Sequence, residues 1–116
     1  MTTPIGPYTP LVRAGDWLIC SGQLGLVDGK LLEGVKAQTT QALKNAEALL
    51  AGEGASLTDV VKTLVFLDDI SAYDTMNDAY VAAFGDHRPA RSAVAVAGLP
   101  RAAQVEIEVW AFVGDR

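Results

Sequence analysis

The chain has 116 residues, half of them hydrophobic and a fifth charged, and its 9 basic and 14 acidic side chains give a net charge of −5. That length fits a single domain over residues 1–116, able to bury roughly two-thirds of its unfolded surface. Scattered rather than clustered basic residues argue against a nucleic-acid partner, and no apolar stretch approaches the ~18 residues of a membrane span.

Gly6-Pro7-Tyr8-Thr9-Pro10 is stiff and turn-rich, and is expected to run over the surface before the first strand. Trp17 to Ser21 reads as a short apolar strand closing on Gly22, and Val27-Asp28-Gly29-Lys30 carries an Asp-Gly turn signal. Cys20, the single cysteine, has no partner for an intrachain disulfide and reads as buried structure. With Met1-Thr2-Thr3-Pro4 lacking the basic and apolar regions of a signal peptide, a reducing cytoplasm is the expected compartment. From Val35 to Ala51 the period becomes helical. Ala42, Ala46, Leu49 and Leu50 share one face, while Gln38, Gln41, Lys44 and Glu47 suit the wet side, and Gly52 and Gly54 stop the helix.

Val60 to Leu67 is short, β-branched and apolar, and predicts a buried strand. Ser71 with Asp74 resembles a capping box for a second helix, whose Tyr73, Met76, Tyr80 and Phe84 fall at core-packing spacing. Gly85 and Pro89 end it, and His87 reads as a loop residue. Two further strands, about residues 91–97 and 104–113, are joined through Gly98-Leu99-Pro100 and are expected to pair antiparallel. The order β-β-α-β-α-β-β predicts an α+β fold: a mixed sheet with both helices packed on one face.

Alternation on the last strand separates Val105, Ile107, Val109 and Ala111, which suit the helices, from Glu106, Glu108, Trp110 and Phe112. A face half charged and half aromatic is odd for plain solvent exposure and reads as a candidate subunit interface. On the preceding strand Val94 and Val96 are expected on the core side, leaving Arg91, Ala93, Ala95 and Ala97 opposite. Arg91 opens this small-residue strand with a planar donor fork suited to carboxylates. Arg91 with Glu106 and Glu108 fits two readings: an ion pair ordering two strands, or a cleft for a small anionic molecule.

The motifs Ile5-Gly6-Pro7-Tyr8, Ser21-Gly22-Gln23, Val61-Lys62-Thr63, Met76-Asn77-Asp78-Ala79-Tyr80, Pro89-Ala90-Arg91-Ser92, Leu99-Pro100 and Glu106-Ile107-Glu108 stand in order at compatible spacing. Together they resemble the YjgF/Rid family, the reactive intermediate deaminases, over essentially the full length. The resemblance implies a chorismate-mutase-like fold assembled as a homotrimer, with sites in clefts between subunits and neither metal nor organic cofactor. It implies hydrolysis of enamine and imine intermediates to 2-oxo acids and ammonia. Arg91 falls on the family's carboxylate-binding arginine and Glu106 on the glutamate that orients the attacking water. Tyr8, Ser21, Gly22 and Asn77 fall on substrate-binding positions lining the same cleft.

Three departures stand out. Ala93 replaces a common cysteine, Gly85-Asp86-His87-Arg88 looks shorter than in the best-known imine deaminases, and Thr9-Pro10 follows Tyr8 where Ser-Gln is usual. The alternative function is a non-catalytic protein that uses the cleft to bind a small carboxylate such as a 2-oxo acid. The family is also described as endoribonucleolytic, which the acidic balance of this chain does not favour.

Overall fold

The computed structural model describes residues 4–115. Leu11–Ala14 (β1) and Trp17–Leu24 (β2) form a hairpin through Gly15 and Asp16. Leu26–Val27 (β3) and Lys30–Leu31 (β4) form a second, minimal hairpin. Its Asp28 and Gly29 both have positive φ, as a type I′ turn requires. Val35–Ala51 (α1), Val60–Leu67 (β5), Tyr73–Phe84 (α2), Ala90–Ala95 (β6) and Val105–Phe112 (β7) follow. The five main strands are ordered β1-β2-β7-β5-β6. Only β5 and β6 pair in parallel among these neighbours.

Ala42, Leu43, Ala46 and Leu50 of α1 and Met76, Tyr80 and Phe84 of α2 pack on Val65, Leu67, Val105, Ile107, Val109 and Ala111. Both helices therefore cover one face, as the alternation of the last strand predicts. No helix among the described residues is long and apolar enough to cross a membrane.

Several local expectations are corrected. β6 and β7 do not form a hairpin: β7 lies between β2 and β5, and β6 sits at the edge beyond β5. The connecting residues pass over the end of β5, where Val96 N–H donates to Leu67 O at 2.8 Å and Asp68 N–H to Gln104 O at 3.1 Å. The faces of β6 are reversed as well. Arg91 and Ala93 pair with buried Thr63 and Val65 and stand on the helix side, whereas Val94 pairs with Phe66 on the bare face and is 47% exposed. Gln38, expected on the wet side of α1, is buried. At the start of α2 the Asp69 carboxylate accepts from Ser71 N–H at 2.9 Å, so Asp69 rather than Ser71 caps that turn.

Candidate functional site

Between Cys20↔Val109 and Gln23↔Ile107, β2 advances three residues while β7 advances two, so Ser21-Gly22 forms a one-residue bulge. Ser21 N–H donates to Pro10 O at 2.8 Å and ties the N-terminal segment to the bulge. Glu106 stands beside it on the bare face, opposite Leu24 on β2 and Phe66 on β5. A Cβ added to Gly22 would lie 2.7 Å from Glu106 Cδ and 2.8 Å from Cγ. Only glycine therefore lets this carboxylate lie against the backbone. Tyr8, Ile5, Ser21, Gly22, Leu24, Pro100 and Glu106 line a cavity of about 260 Å³. Tyr8 N–H donates to Gly6 O at 2.9 Å, a tight turn in the segment that supplies Ile5 and Tyr8 to the cavity wall.

Burial raises the Glu106 pKa above the ordinary carboxylate value, and the neighbouring Glu108 raises it further. Glu108 accepts from Trp110 Nε1–H at 2.6 Å. Trp110 meets Trp17 edge-on at 6.2 Å, and Trp17 meets Phe112 at 5.1 Å. The bare face thus joins an aromatic cluster to two carboxylates.

Arg91 lies on the other side of the sheet. Its Nη2 donates to the Tyr73 hydroxyl at 3.0 Å, its Nη1 points to Met76 Sδ at 3.9 Å, and its guanidinium lies 4.8 Å from the Tyr80 ring centroid. Tyr80 is itself fixed by a 2.7 Å hydrogen bond between its hydroxyl and Thr63 Oγ1. Asn77 follows Tyr73 by one helical turn, and its shielded Oδ1 has no hydrogen-bond partner among the described residues.

The structure therefore brings Tyr8, Ser21, Gly22 and Glu106 together and leaves Arg91 and Asn77 apart from them. Arg91 pairs with Thr63 and Glu106 with Phe66, on opposite sides of β5. Two strand spacings across and three residues along place their Cα atoms roughly 14 Å apart. Their side chains also point to opposite faces, so the Arg–Glu strand ion pair does not form within the chain. Sequence reasoning missed Tyr73, whose helical spacing reads as core although it is 39% exposed. His87 is a loop residue whose Nε2–H donates to Val60 O at 2.7 Å. Cys20 is buried, and its thiol pKa is pushed up to about 12 by desolvation.

The fold and cavity define a small α+β protein with a carboxylate-bearing cleft on the bare face of its sheet. The chain belongs to the family described as Endoribonuclease L-PSP, the YjgF/Rid family, which it matches over residues 1–113. It is 41% identical to the 2-iminobutanoate/2-iminopropanoate deaminase of Salmonella typhimurium over 112 residues, covering 92% of this chain and 88% of that one. The crystal structure of RidA from the Antarctic bacterium Psychrobacter sp. PAMC 21119 superposes with a TM-score of 0.91 at 40% identity, covering 96% and 92% of the two chains. E. coli TdcF with bound serine gives a TM-score of 0.90 at 34% identity, covering 94% and 90%.

Proposed function

We propose that the protein hydrolyses enamine and 2-imino acid intermediates to 2-oxo acids and ammonia. The observation that carries this reading is Glu106, a partly buried carboxylate with a raised pKa, laid against a glycine bulge in a small cavity. The deaminase name of a relative at 41% identity supports it.

A protonated imine is already an electrophile, so the site has to position it and handle one water. Ionised Glu106 takes a proton from that water as the C–O bond forms and the C=N electron pair moves to nitrogen. The carbinolamine then collapses: Glu106 returns its proton to nitrogen, the C–N bond breaks as the oxygen lone pair forms C=O, and ammonia leaves. The carbinol hydroxyl proton passes to the Glu106 carboxylate and from it to the departing ammonia as ammonium. The Gly22 backbone amide is offered to the developing oxygen, while that of Ser21 stays bonded to Pro10 O and holds the N-terminal wall carrying Tyr8 in place. Arg91 binds the substrate carboxylate, and Asn77, whose Oδ1 is shielded in the free chain, reaches a substrate N–H through a rotation of its side chain. Fixing both reactants in one geometry adds the orientational part of the rate.

Arg91 and Glu106 act across a subunit boundary in this proposal. Their opposite faces support it, because one chain cannot bring them together. Trp17, Val94 and Phe112, 38%, 47% and 40% exposed on the bare face, support a homotrimer that buries this surface. A net charge of −5 does not favour RNA as the substrate.

The test supplies imines in situ with an amino-acid oxidase, over several amino acids, and follows ammonia release. The wild type should accelerate release and Arg91→Ala should abolish the acceleration. Equal rates for the two proteins would overturn the assignment. Calorimetric binding of 2-oxo acids, lost in Arg91→Ala but without turnover by the wild type, would instead establish the carboxylate-binding alternative.

A further inference from the structure

Arg91 is clamped more closely than a surface arginine on an edge strand requires. Its side chain crosses from β6 to α2, where three residues of one helical face receive it. Tyr73 accepts from Nη2 at 3.0 Å while its ring centroid lies 5.5 Å from the guanidinium carbon. Tyr80 presents its ring at 4.8 Å, and Met76 offers its sulfur at 3.9 Å. Positions 73, 76 and 80 differ by three and four, so one helix face builds the whole receptacle. Tyr80 and Met76 are buried and serve the core as well. Tyr73 is exposed, and its hydroxyl is bonded to Arg91.

We propose that Tyr73 is a positioning residue for the carboxylate-binding guanidinium, holding Arg91 in one rotamer through its ring and hydroxyl before the substrate arrives. The inference rests on the reading of Arg91 as the carboxylate ligand and adds what orients it. Arginine has five N–H donors, and two are directed to α2, which leaves three for an incoming carboxylate. A free arginine would lose rotamer freedom on binding substrate; one already fixed loses less. The effect belongs in substrate affinity rather than in chemistry, since Tyr73 acts through the guanidinium that holds the substrate carboxylate and not on the reacting carbon or its water.

The experiment compares wild type, Tyr73→Phe, Tyr73→Leu, Arg91→Ala and Arg91→Lys in the oxidase-coupled imine assay. Tyr73→Phe keeps the ring and should raise KM about three- to tenfold, the scale of one charge-assisted hydrogen bond in a partly exposed site. Tyr73→Leu should raise KM further, with kcat within about twofold and the pH profile unmoved. In the Arg91→Lys background, Tyr73→Phe should add nothing to KM. An unchanged KM in both Tyr73 variants while Arg91→Ala is inactive would overturn the role of Tyr73 alone. Equal KM increases in the wild-type and Arg91→Lys backgrounds would overturn it too. Full activity of Arg91→Ala would remove the underlying reading of Arg91.

Discussion

Glu106 loses part of its hydration to the cavity wall and meets a second carboxylate, Glu108, two residues along the same strand. Both effects favour the protonated acid, so its folded-state pKa lies above its unfolded one. The stability this group contributes is therefore full below the unfolded pKa and is lost as pH rises through the raised folded value. At neutral pH the ionised side chain works against the fold. Glu106→Gln should raise Tm at pH 7 by on the order of a few degrees, with the gain fading toward pH 4. The same change should lower kcat about 10²–10⁴-fold, the usual worth of a general base. Melts at the two pH values with the imine assay decide this; a lower Tm at pH 7 would refute the electrostatic account. Glu106, Gly22 and Ser21 were legible through their motifs. Tyr73 was not, because an aromatic at helical spacing looks alike whether it faces the core or a guanidinium.

The elements were legible where periodicity is local. α1 spans the predicted residues 35–51, and the buried strand of residues 60–67 stands as read. Pairing was less legible, since a short turn-rich connection favours neighbouring strands but does not forbid a step across the end of β5. The polar residue Gln38 was misplaced for a related reason: its partner is distant in sequence. Its Oε1 accepts from Gln104 N–H at 2.8 Å, and its Nε2 donates to Leu32 O at 2.9 Å. This side chain thereby locks α1 to the segment entering β7, the strand that bears Glu106. Gln38→Leu would leave the Gln104 N–H without its partner and should cost about 1–3 kcal/mol. Urea titration should show a lower midpoint at unchanged m. An unaltered midpoint would mean that water replaces the amide without loss.

At the scale of the molecule, the helices protect one face of the sheet and leave tryptophan, phenylalanine and valine on the other. The alternation of β7 foretold that face. The true strand order was needed to see that Arg91 and Glu106 belong to opposite sides of it. Two chains inactive for different reasons should then repair one another. If each site takes its arginine from one chain and its glutamate from the next, random trimers of Arg91→Ala and Glu106→Gln in equal amounts would hold both intact groups at about a quarter of their sites. Co-expression should recover activity near that fraction of wild type, although each variant alone is dead. Continued inactivity of the mixture would overturn the shared-site reading. On the proposed reading, a sheet with these two side chains on opposite faces would make activity a property of neighbours, and a damaged copy would poison only the sites to which it lends its missing half.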